Sequence, residues 1–175
     1  MVVPMPISAS TFCGRVVIAN YLTSTGSKVY EPASLRLKKP IVAYLDKGKI
    51  EKFEGDIDDV KNVIRHYNNV SNMFTIDKDI VHSWHAGIHP GITYNFSISE
   101  NPDRWSNTIF SSPRFLHFHT CGNYAPGEIC WMIERPLIKI DGVALWEDGK
   151  LKPQNFKNTA QVIQNCSELQ EIYSD

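Results

Sequence analysis

The sequence has no apolar run near the roughly 18–20 residues that a membrane-spanning helix needs. Nor does it have charge of one sign: its 175 residues carry a formal net charge of −1. The first lack argues against a membrane span, and the second removes any overall drive toward nucleic acid or an anionic bilayer. The one basic cluster, LRLKKP at 35–40, is short and reads as a solvated loop. Cysteine is scarce and scattered: Cys13, Cys121, Cys130 and Cys166 form no CxxC pair, which excludes a zinc ribbon and suits reduced thiols in the cytoplasm better than a disulfide framework. The opening MVVPMPISAS has no basic segment and is broken by two prolines, so it makes a poor signal peptide. P-loop, GxSxG, GxGxxG and HExxH patterns are all missing, as are internal repeats and low-complexity tracts.

What remains is an ordinary globular composition, 42% hydrophobic and 21% charged, read as a single domain over 1–175 with one sizeable core. GRVVIANYL (14–22) reads as a strand, with STGS (24–27) as a turn and KVYEP (28–32) as the returning partner. Two apolar runs in PIVAYLDKGKIEKFEG (40–55) flank Asp-Lys-Gly and predict a hairpin. Asp56 then caps a helix whose core stripe is Ile57, Val60, Val63, Ile64 and Tyr67, with Asp58 and Asp59 in the first turn, His66 near the exposed side and Asn68-Asn69 as the stop.

Further strands are expected at 81–86, 92–98, 114–120 and 128–134, with 101–107 a loop or one helical turn. LIKIDGVALWEDGKL reads as a tight meander. From Asn158 a helix is expected, with Val162, Ile163, Cys166, Leu169 and Tyr173 on one face and Asn158 and Gln161 at capping-box spacing. The fold class is therefore α+β: a mainly antiparallel, barrel-like β core with one central and one C-terminal helix.

The chemistry concentrates between Val81 and Glu134. Five of the six histidines lie there (His82, His85, His89, His117, His119), with Cys121, Cys130 and three of the four tryptophans (Trp84, Trp105, Trp131). His117 and His119 at i, i+2 on a strand share a face, as two metal ligands can, and Glu128 or Cys130 can complete a zinc or non-haem iron set. A Cys/His nucleophile is a weaker alternative. The aromatic residues equally suit a cleft for a peptide or small amphiphile, with histidines as polar handles.

The order of motifs resembles the C-terminal, metal-carrying domain of the thermophilic metallo-aminopeptidases (the aminopeptidase T and S group) and of the related dihydroxypyridine dioxygenases. The residues that carry it are PIVAYLDKGKIEKFEG, SWHAGIHP, FLHFHTCG and EICWMIERPLIKIDGVALWEDGKL. The resemblance places Ser83 where the family has a ligand glutamate, His117 or His119 within one residue of a ligand histidine, and Glu128 and Cys130 where it has H-x-D. A two-metal hydrolytic centre needs several carboxylates and is not implied by this set.

A shortened, ligand-stripped relative of this kind resembles the peptide-binding accessory proteins of crocagin-type pathways for ribosomally made, modified peptides. It implies a non-catalytic protein that binds a precursor peptide for modifying enzymes, with Trp84, His85, His117, His119, Glu128 and Trp131 lining the groove. No catalytic residue, metal or cofactor is then expected, and a homodimer is. The alternative is a mononuclear metal-dependent enzyme, an iron dioxygenase or zinc hydrolase, using His117 or His119 with Glu128 and Cys130. A purely structural subunit is the third reading.

Overall fold

The structure is a computed structural model and describes residues 5–24 and 30–172. Its strands are β1 (Ile7–Ser8), β2 (Gly14–Ile18), β3 (Tyr21–Thr23), β4 (Leu35–Arg36), β5 (Ile41–Asp46) and β6 (Lys49–Glu54) before the long helix α1 (Ile57–Phe74). After it come β7 (Val81–Ala86), α2 (Pro102–Ile109), β8 (Phe115–Cys121) and β9 (Glu128–Glu134). The chain closes with β10 (Ile138–Ile140), β11 (Val143–Glu147), β12 (Lys150–Leu151), α3 (Thr159–Gln164) and α4 (Ser167–Ile172).

Six strands form one sheet in the order β1-β7-β8-β9-β3-β4; β2-β5-β6 and β10-β11-β12 form two smaller sheets. Every pairing is antiparallel, as the hairpin-rich sequence predicts. The α+β class holds, but among the described residues the sheets stay open and close no barrel. None of the described helices is long and apolar enough to cross a membrane.

The β5–β6 hairpin forms as expected. Lys47 and Gly48 both take positive φ, 46° and 72°, the geometry whose twist matches the flanking strands. Glycine is required at Gly48 for a second reason: a Cβ there would lie 2.6 Å from the Ala9 carbonyl oxygen. Asp56 caps α1, accepting the Asp58 N–H at 3.1 Å. Asp59 is buried and accepts the N–H groups of Lys38 and Lys39, tying the basic segment to the helix.

The helix runs past Asn68-Asn69 to Phe74 and ends at Thr75 in the left-handed region. Its buried stripe is Asp59, Val63, His66, Tyr67 and Val70. Ile57 and Ile64 face solvent instead of the core, and His66 is buried instead of exposed. The buried residues recur at three- and four-residue spacing from Asp59 to Val70, and Val63–Val70 is the part that meets the sheet. There α1 and β2-β5-β6 pack on one face of the large sheet, against Leu22, Phe118, Ile129 and Trp131.

Four other expectations change. The segment 92–98 forms no strand; Tyr94 and Ile98 only pack against a second, small cluster, and Phe96 is exposed. The segment 101–107, expected as a loop or one helical turn, belongs to the eight-residue helix α2, started by Asn101 accepting the Arg104 N–H at 2.9 Å. The C-terminal helix divides into α3 and α4, with Asn158 left-handed and without a side-chain capping bond, and with Val162 exposed. Finally, 14–22 splits between two sheets at Asn20, and Tyr30–Pro32 are irregular. Residues 25–29 of the expected turn and returning strand, and Tyr173, lie outside the described residues.

Candidate metal centre

Side chains alternate between the faces of a strand, so β8 sends His117 and His119 to one side and Phe118 to the other. Register then adds the neighbours. His85 on β7 stands opposite His117, and Cys130 on β9 stands opposite His119. Glu128, two residues before Cys130, pairs with Cys121. Directly opposed residues bring their Cβ atoms to about 5 Å, so three adjacent strands gather five ligand-type side chains on one face. That face is the one covered by α2, beside the small cluster of Tyr21, Trp105, Ile109, Phe115 and Met132.

The three histidines turn the same ring atom inward. His85 Nε2 meets His117 Nε2 and lies 2.9 Å from His119 Nε2. The opposite nitrogen of His119, Nδ1, meets Glu128 Oε1. Cys130 Sγ donates to the same oxygen at 3.6 Å. Two sets of three therefore share His119: His85, His117 and His119, and His119, Glu128 and Cys130, each with its ligand atoms within 4.8 Å of one another. The Phe110 ring lies 5.9 Å from the His117 ring and 6.4 Å from that of His85, and Tyr30 donates its hydroxyl to the Glu128 carbonyl oxygen at 2.5 Å.

Burial sets the charge state. His85, His117, Glu128 and Cys130 are buried, and the His119 side chain is only 11% exposed. Desolvation holds His117 well below the usual imidazole range, and the neighbouring His85 and His119 push it further down. Desolvation, then His85 and His82, lowers His119 to about 4. Near neutral pH these two rings are neutral, as ligation requires.

A neutral imidazole has one N–H and one lone pair. A cation accepts three lone pairs at once. Three imidazole nitrogens turned on one point are a donor set that fits a metal ion.

The remaining predicted residues are placed elsewhere. Trp84 lies between Ser83 and His85 in β7, so it packs against the main core on the opposite face. Trp131 is fully buried there and gives its N–H to the Tyr67 hydroxyl at 2.6 Å. A single groove lined by Trp84, Trp131 and the histidines is thus not what the alternation builds. His82 bonds the Cys121 carbonyl at 2.8 Å, and His89 accepts the Gly91 N–H at 3.2 Å; neither belongs to the two groups of three. Sequence reasoning missed Tyr30 and Phe110, which no local pattern marks; it also treated His85 as a groove residue, although a strand spacing of two from Ser83 puts it on a ligand-bearing face.

Comparison with protein-family models gives no match, and neither does comparison with curated protein sequences. Among solved structures the chain is similar to 2,5-dihydroxypyridine dioxygenase from Pseudomonas putida KT2440, with a TM-score of 0.57 and 13% sequence identity. The likeness covers 85% of this chain and 42% of that one, so this chain spans less than half the length of that protein. At this identity the likeness is one of fold. The class that fold and site define is an α+β domain, similar to part of a dioxygenase, with a buried histidine-rich cluster.

Proposed function

We propose that the chain holds one divalent transition-metal ion between His85, His117 and His119 and acts as a mononuclear metal-dependent enzyme. The observation that carries this reading is the convergence of three inward-turned Nε2 atoms on a buried site. Three imidazoles with a position left open make up a known catalytic zinc set, and imidazole also suits iron and copper. When bound there, such an ion supplies Lewis acidity toward water or a substrate oxygen. The chain's own residues do the rest: the three rings fix the site, and Phe110 shields His85 and His117. An oxygenase reaction draws support from the likeness in fold, and a hydrolytic one from the neutral ligand set.

This reverses the order that the sequence suggests, where peptide binding came first. The precursor-peptide reading draws on the resemblance and on the aromatic residues, two of which, Trp84 and Trp131, belong to the main core. Protein purified without a metal-binding tag, analysed for its elements and then titrated with zinc, tests the metal reading. About one ion per chain is expected in wild type and none in His117→Ala. Wild-type protein that stays folded and takes up no ion stoichiometrically would overturn it.

A further inference from the structure

The two nitrogens of an imidazole point away from each other across the ring. An ion on the Nε2 side of His119 faces His85 and His117, whereas Glu128 and Cys130 lie on the Nδ1 side. One ion cannot use both sides. We infer that Glu128 is a positioning residue for the metal centre and not a ligand: it accepts the Nδ1 proton of His119 and so aims the Nε2 lone pair at the ion. This rests on the metal reading of the same site and deepens it.

The carboxylate is itself held for the task. Cys130 Sγ donates to the oxygen that His119 meets, and Tyr30 fixes the backbone at Glu128 through its carbonyl. Glu128 is 2% exposed, and a buried carboxylate is costly unless it is hydrogen-bonded and its charge is compensated. Cys130 Sγ supplies one bond, His119 Nδ1 in contact with the same oxygen supplies the second when it carries the ring proton, and a cation at the far end of that ring supplies the charge. The arrangement also fixes the tautomer: with the proton on Nδ1, only Nε2 can ligate. Cys130, on this reading, is a thiol donor to Glu128 and contributes no sulfur ligand.

Cobalt(II) loaded into the wild-type chain is the probe, read by its visible and near-ultraviolet spectrum and by X-ray absorption. Three nitrogen donors from imidazole are expected, with no sulfur donor and no thiolate charge-transfer band. Glu128→Gln keeps one ion per chain and the same spectrum, with affinity reduced about 10–100-fold. Glu128→Ala weakens binding further, because the glutamine carbonyl still accepts the Nδ1 proton. Cys130→Ser leaves the spectrum unchanged. A role confined to stability would lower the melting temperature without this graded loss of affinity, and would overturn the inference.

A sulfur donor or thiolate band in the wild-type complex would also overturn it, as would loss of stoichiometric binding in folded Glu128→Gln. Should the Glu128 variants fail to fold, the wild-type spectrum decides alone. Failure of the wild type to bind any ion removes the metal reading and this inference together, whereas binding with a sulfur donor removes only the inference.

Discussion

On the face of the large sheet that meets α1, β8 and β9 contribute Phe118, Thr120, Ile129 and Trp131; on the face beneath α2 the same strands contribute His117, His119, Glu128 and Cys130. Both faces are buried, so burial does not separate them. Hydrogen bonding does. On the first face the polar side chains of these strands pair with α1 and with their own backbone: Trp131 donates to Tyr67, whose hydroxyl meets Thr120 Oγ1 at 2.5 Å, and Thr120 donates to the Ile129 carbonyl at 2.8 Å. On the second, three imidazole ring nitrogens are turned on one another. Side chains that pair with one another in this way are structural, whereas imidazole nitrogens that converge on one point mark a candidate ligand site.

The largest expected effect breaks the structural face. Trp131→Ala should cost about 3–5 kcal/mol in urea unfolding, through lost burial and the cavity left behind. Whatever fraction remains folded should still bind its ion. A mild effect on stability would take Trp131 out of the core. His117→Ala is the converse: ion affinity should fall more than about 100-fold, beyond the loss typical of an outer residue, while unfolding changes less than for Trp131→Ala. Isothermal titration with zinc checks it, and unaltered affinity would erase the distinction between the faces.

Gly87, just after β7, is expected to matter next. A Cβ there would lie 2.2 Å from the backbone of Ser111 and Ser112, which follow α2. Gly87→Ala must therefore push the cover of the histidine face outward, costing about 1–3 kcal/mol or more. Thermal melting measures the cost, and a parallel loss of ion affinity would tie that cover to the site.

The smallest effect concerns pH on the structural side. Desolvation lowers the buried His66 to about 4. Its neutral form is favoured in the folded chain, so the stability tied to it is complete above its unfolded value of 6.5 and is lost as pH falls from there toward 4. By pH 5 the loss should reach at most about 2 kcal/mol. Urea unfolding of the ion-free protein at several pH values, wild type against His66→Phe, isolates this share. Equal pH slopes in the two proteins would contradict it.

Much of this architecture is legible in the sequence. Alternation marks β8 and β9, Asp-Lys-Gly marks the β5–β6 hairpin, and Asp56 marks the start of α1, because each depends on neighbours in the chain. His117 and His119 on one face follow from the same alternation. Which third strand lies beside them does not, since register between β7 and β8 is a long-range choice. The sequence therefore contains His85 but not its meeting with His117.

Trp84 and Trp131 show a signal left unused. Trp84 is adjacent to His85, and Trp131 follows Cys130, so period two already assigns both to the other face. His66 is a second such signal: it stands three residues after Val63 and four before Val70, so helical spacing already places it on the buried stripe. The 92–98 segment has strand-like residues but gains no partner strand, and propensity without a partner makes no sheet.

The most direct measurement of the central claim is anomalous diffraction at the zinc edge, from crystals of zinc-loaded wild-type protein. One peak per chain is expected, within ligand distance of the Nε2 atoms of His85, His117 and His119, with Glu128 on the far side of the His119 ring. A peak beside Glu128 and Cys130, or no peak anywhere on that face, would contradict the account.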